Sequence, residues 1–223
     1  MSMKFYSSLT KKYIMSLAGL FLMTFLLVHL TINLLLIIDD SRELFNEAAH
    51  FMGTNTFIQV FQWVLFGGFA IHILVGVILQ IQNWMARPKG YARRAGAEES
   101  IFSRYMIHTG AIIFIFLAIH LADFFVKKMG GNVPEITSGN LAGMEDMGIL
   151  VVEKFKMGGY VLFYVIAFLL LGFHLDHAFQ SAFQSLGLNH PKYTPFIKGL
   201  GHFVAIVLTI GFISIPVIIY FFK

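Results

Sequence analysis

Long apolar runs separated by short polar stretches dominate this chain. Five stretches hold no Asp, Glu, Lys or Arg: residues 13–38, 48–86, 105–122 (apolar on to 126), 157–175 and 199–222. A helix crossing a bilayer needs about 20 mostly apolar residues, because the hydrocarbon core is about 30 Å thick and the rise is about 1.5 Å per residue. The second stretch is too long for one crossing. Gly53 and Asn55 predict a turn over 51–56, leaving 57–85 as the helix. The fourth helix is expected to run past Asp176 to residue 186, since 178–186 contains no breaker. The pattern predicts an all-α integral membrane protein, a single membrane domain over 1–223, with five spans near 13–38, 57–85, 104–126, 157–186 and 198–222. Pro216 is expected to kink the last span or to mark its frayed end.

Between the spans, 39–56 and 87–104 read as polar linkers and 187–198 as a turn containing Pro191 and Pro195. Residues 127–156, with their Gly, Asn, Pro and Ser, read as irregular surface structure. The first apolar run outlasts the roughly 7–15 residues of a cleaved signal peptide, so it is expected to stay as a span. No internal repeat is visible.

Composition narrows the function. Only 13% of residues are charged and 57% are hydrophobic, whereas a soluble domain carries roughly 25% charged residues. A soluble enzyme is therefore not expected. Cysteine is absent, which excludes disulfides, thiolate zinc sites, iron–sulfur ligation and covalent haem attachment on this chain. The net charge of +4 is unevenly spread. Taking alternate sides, Lys4, Lys11, Lys12, Arg87, Lys89, Arg93, Arg94, Arg104, Lys192 and Lys198 share one side, ten of the sixteen basic residues. Cytoplasmic loops retain positive charge, so the N-terminus is expected in the cytoplasm and the C-terminus outside a cell inner membrane. Nothing in this asymmetry calls for nucleic acid.

Nine histidines are many for so apolar a chain. Ionisable groups inside a membrane are costly and usually face the bundle interior with a purpose. Each of the first four spans has one: His29, His72, His120, and His174 or His177. At the helical rise, His29 lies about 14 Å and His120 about 9 Å from the outer side, while His72 lies about 20 Å and His174 about 18 Å from the cytoplasmic side. The depths pair His29 with His120 and His72 with His174. Two opposed imidazoles at one level supply the axial ligands of a six-coordinate b-type haem, whose porphyrin fills the other four positions. Helix–helix hydrogen bonding explains any single histidine equally well. A proton or ion pathway expects acidic partners at mid-depth, yet Asp123 and Asp176 lie near span ends.

The segment Phe173-His-Leu-Asp-His-Ala-Phe-Gln-Ser-Ala-Phe-Gln-Ser-Leu-Gly187, followed by Leu-Asn-His-Pro-Lys192, resembles the fourth-span signature of a known family. The family is that of the di-haem cytochrome b subunits of succinate dehydrogenases and fumarate reductases. The resemblance extends to Ser16-x-x-Gly19 ahead of His29 and to one histidine in each of the next two spans, His72 and His120. It implies a membrane anchor with two haems b, four helices around them, and a flavoprotein and an iron–sulfur subunit as partners. It also implies electron exchange with quinone, usually menaquinone, and the complex can assemble into a higher oligomer.

Carried over by position, His29 and His120 would bind the outer haem, and His72 and His174 the inner one. His177 is the alternative to His174, and Ser16 would lie near a haem propionate. This chain would be the electron-transfer and quinone-reactive subunit, with no dicarboxylate site. Glu47 or His50 would occupy the family's quinone-site position. Arg93, Arg94 and Arg104 are candidates for docking the iron–sulfur subunit or for pairing with a haem propionate, though anchoring to the membrane surface explains them equally well. A membrane glutamate found in some members two positions before the fourth-span ligand is replaced by Gly172. Rival readings are the cytochrome b subunit of another quinone-linked dehydrogenase and a haem-free membrane transporter.

Overall fold

The computed structural model describes the backbone of residues 8–86 and 101–223. Among the described residues there is no strand, only one isolated bridge between Glu135 and Glu145. The elements are α1 (Ser8–Ile38), α2 (Glu43–Thr54), α3 (Thr56–Ala86), α4 (Ile101–His120), α5 (Lys127–Met129), α6 (Met147–Phe155), α7 (Gly158–Ser185) and α8 (Thr194–Phe222). A π-helical stretch, Leu121–Val126, joins α4 to α5. Five helical stretches are long and apolar enough to cross a membrane: α1, α3, α4 with its extension, α7 and α8. Helices suit this environment because every backbone N–H and C=O within lipid must be satisfied inside the segment.

Neighbour relations define a ring. Helix α1 packs beside α3 and α7, α7 packs beside α4, and α3 touches α4 more sparsely. This sets α1 diagonally across from α4, and α3 across from α7. Helix α8 lies outside the ring, packed chiefly on α7 and also on α1. Small residues permit that approach: a Cβ at Gly172 would collide with Thr209 Oγ1, and one at Gly201 would stand 2.8 Å from Phe179. Buried Leu208, Phe212, Ile215 and Ile219 of α8 complete the core on that side.

Contacts between helix ends give the directions. Lys11 near the start of α1 donates to Gln82 near the end of α3 at 2.9 Å. Lys223, following α8, donates to the Leu36 carbonyl at 2.6 Å, capping the end of α1, and pairs with Asp40 at 2.8 Å. Helices α1 and α8 thus finish at the same end of the bundle, called here the upper end, and α3 starts there.

The structure corrects the linkers. Residues 39–56 contain α2, and 127–156 contain α6, two short helices that lie together over the upper end. Their apolar sides are buried, Phe45 on α2 and Leu150, Val151, Val152 and Phe155 on α6. Asp146 joins them. Its carboxylate caps α6 by accepting from Ile149 N–H at 2.8 Å, and it accepts from Asn46 Nδ2 at 2.9 Å and from Arg42 at 3.0 Å. Asn46, buried on α2, accepts in turn from Gly148 N–H at 2.8 Å. Long-range polar contacts of this kind have no periodic signature, which is why a composition-based reading takes both segments for loop.

Smaller corrections follow. The predicted turn over 51–56 shrinks to Asn55, whose side chain accepts from Ile58 N–H at 3.2 Å and starts α3. The turn over 187–198 is shortened because α8 begins at Thr194, with Pro195 in its first turn, where the missing N–H costs nothing. Pro216 does not mark the end of α8: it is fully buried, and the helix continues to Phe222.

Candidate functional site

Each diagonal of the ring carries one histidine pair. His29 of α1 faces His120 of α4, with ring centroids 5.7 Å apart and planes at 87°. His72 of α3 faces His174 of α7 at 6.2 Å and 67°. His177, one turn beyond His174, is half-buried. The two pairs occupy different levels. Gly19 of α1 lies beside His72, where a Cβ would stand 3.7 Å from the ring, and Gly110 of α4 lies beside His174, where a Cβ would stand 3.6 Å away. Both glycines precede the upper histidine of their own helix by the same interval, Gly19 to His29 and Gly110 to His120. Ten residues at the helical rise separate the levels by about 15 Å.

Hydrogen bonds around the rings bear on which nitrogen carries a proton. Thr109 Oγ1 donates to the Met106 carbonyl at 3.0 Å, so at 3.3 Å it can only accept from His174 Nδ1. That leaves the lone pair of His174 on Nε2. Asn33 donates to the His29 carbonyl at 2.8 Å, and the same amide nitrogen stands 3.5 Å from His29 Nε2, at the limit of a hydrogen bond. His120 Nδ1 lies 3.2 Å from the Tyr164 hydroxyl. His72 Nδ1 is buried without a hydrogen-bond partner, an arrangement that costs free energy.

The surroundings of the two levels differ. Phe25 stacks on His29, while Phe116 and Phe124 flank His120 at 5.8 and 5.2 Å. Phe212 of α8 reaches His29 at 6.0 Å. The upper pair therefore sits among aromatic rings, and the lower pair among the glycines and Thr109.

The other candidates are placed as follows. Ser16 is buried and donates to the Lys12 carbonyl at 2.8 Å. Glu47 and His50 are exposed on α2. His50 also lines a cleft of 260 Å³ at the upper end, with Gly53, Thr54, Lys128, Gly143, Met144 and Glu145. Position 172 has no room for a carboxylate side chain, because a Cβ alone meets Thr209. Asp123 and Asp176 are engaged, Asp123 with Lys154 at 2.5 Å and Asp176 with His202 of α8 at 2.5 Å. The docking candidates Arg93 and Arg94, and the side chain of Arg104, lie outside the described residues.

Sequence reasoning missed Gly110, Thr109, Tyr160 and Tyr164. The repeated Gly-to-His interval was a usable signal for the first. The others are ordinary helical residues until the fold shows which ring they meet. Comparison with known families, curated proteins and solved structures gives no match.

Proposed function

We propose that this chain is the di-haem cytochrome b membrane anchor of a succinate:quinone oxidoreductase. It serves an iron–sulfur subunit and its flavoprotein partner on one side and a quinone, menaquinone by resemblance, on the other. The observation that carries the reading is the diagonal pairing, with His29 opposite His120 and His72 opposite His174.

The donor set fits haem. The rings of each pair lie close together, with centroids at 5.7 and 6.2 Å, and each imidazole offers a nitrogen that could hold haem iron. Two nitrogens per level are too few for a metal alone, whereas porphyrin supplies the remaining four. The buried, unpartnered Nδ1 of His72 and the glycines flanking His72 and His174 suit a site that leaves room for a planar group. His29 and His120 would hold one haem, and His72 and His174 the other. Bound haem supplies one-electron redox chemistry at two levels of the bundle.

The chain's own residues do the rest. Thr109 orients His174 through Nδ1. Rings around His29 and His120 exclude water from the upper pair. Glu47 and His50 are exposed on the same upper end, where a quinone carbonyl can receive a hydrogen bond and a proton. By charge asymmetry that end faces outward across the inner membrane, and the basic loops face the cytoplasmic partners.

The test uses the assembled complex in detergent. Succinate and a naphthoquinol are each expected to reduce a b-type absorption band, and added quinone to reoxidise it. Absence of any b-type band overturns the reading and favours a haem-free transporter. A band that quinol reduces but succinate does not assigns the chain to another quinone-linked dehydrogenase.

A further inference from the structure

A polar string leads away from His120 through an otherwise aromatic region. Tyr164 of α7 is 2% exposed, and its ring packs on Phe116 and Phe155 at 4.9 and 5.0 Å. Its hydroxyl lies 3.2 Å from His120 Nδ1 and 3.5 Å from the Tyr160 hydroxyl one turn earlier. Tyr160 donates to Asp123 Oδ2, and Lys154 donates to Asp123 Oδ1 at 2.5 Å. Asp123 sits on the π-helical stretch that begins immediately after His120, and such departures from α geometry are frequent at functional sites. Tyr164 is a buried polar group among aromatic rings, where an unpaired hydroxyl is costly, and no part of the pairing described above uses the string.

The string has a direction. An ionised Asp123 has no proton to give, so Tyr160 must donate to it. Each tyrosine has one hydroxyl proton, so Tyr160 can only accept from Tyr164, and Tyr164 in turn can only accept from His120. The proton of His120 is then on Nδ1, and the lone pair on Nε2. The lower pair has no equivalent, since His174 Nδ1 meets Thr109, which ends on a neutral carbonyl.

We propose that Tyr164, Tyr160 and Asp123 are positioning residues for His120: they fix its tautomer and strengthen its Nε2 as a donor through a string anchored on a carboxylate. The proposal rests on the haem reading. A ligand whose other N–H is bonded towards an anion is more basic, and a more basic ligand favours ferric iron. Breaking the string is expected to raise the midpoint potential of the haem held by His120.

The experiment is a redox titration of the purified complex, following both haems by optical and low-temperature paramagnetic spectra. Tyr164→Phe, Asp123→Asn and the double variant are compared, with His120→Ala marking which component is the upper one. Each single variant is expected to shift the upper component to higher potential and to leave the lower one in place. The double variant is expected to shift by less than the sum of the two, because both changes break one string. Removal of a nearby negative charge would by itself raise the potential, so additive shifts overturn the proposal, as does an unmoved upper component. Tyr160→Phe replaces Tyr164→Phe in the cycle if the latter fails to assemble. Wild-type complex lacking two haems overturns the haem reading itself, which separates the two failures.

Discussion

His174→Ala is expected to abolish one of two haem signals outright while the other persists. The ring facing His72 across the bundle is that of His174, at 6.2 Å, and Thr109 fixes its tautomer through Nδ1. Without it His72 has no opposite nitrogen, and changing only a residue hydrogen-bonded to a ligand typically costs a metal site about 10–100-fold in affinity. Loss of a ligand is expected to do more. His177→Ala is expected to leave both signals, because His177 lies one turn further along α7. The check is the reduced-minus-oxidised spectrum of each variant. If only His177→Ala removes the signal, the assignment of His174 is wrong.

The second large effect is expected at the cap over the upper end. Asp146→Ala removes the N-cap of α6, the partner of Arg42 and the acceptor for buried Asn46 in one step. Loss of a cap and of a charge-assisted bond to Arg42 together cost about 3 kcal/mol. The thermal midpoint of the detergent-solubilised protein should fall accordingly, and α2 and α6 should become the earliest sites of proteolysis. Burial would raise the Asp146 carboxyl, but hydrogen bonds from Arg42, Asn46 and the Ile149 N–H outweigh it and hold the group below its ordinary value of 3.8. A carboxyl depressed in the folded state stabilises fully above its unfolded value and loses that contribution as pH falls through the folded one. The difference in midpoint between wild type and Asp146→Ala should therefore be constant near neutrality and shrink below pH 3.8.

Much of this architecture is legible in the chain because lipid imposes a strict rule. A run such as 57–85 must be helical and must cross, whatever its neighbours, and a histidine inside it must face protein. Depth counted along each helix already sets His29 beside His120 and His72 beside His174, since the rise per residue is fixed. Helix order around the ring is less visible. That α1 lies diagonally across from α4 depends on packing, and apolar surfaces facing lipid and facing protein look alike in sequence. Helices α2 and α6 escape notice for a related reason: the signal is the match of Asn46 and Asp146, about a hundred residues apart in the chain. Gly172 illustrates the reverse case. In sequence it is a missing carboxylate, and in the fold it is where α8 rests against α7 at Thr209.

The orientation of each ring depends on residues with no local mark. Thr109 reads as one more small residue on α4, and Tyr164 as one more aromatic on α7. Only their distances to His174 and His120, 3.3 and 3.2 Å, give them a role.

The claim at the centre is that two diagonal histidine pairs hold two haems b. It is tested most directly by counting haem in purified protein with the pyridine haemochrome assay, against protein concentration from amino-acid analysis. Two haems b per chain are expected, falling to one in His29→Ala and to one in His72→Ala. No haem in the wild-type protein, or a count unchanged by both substitutions, would contradict it.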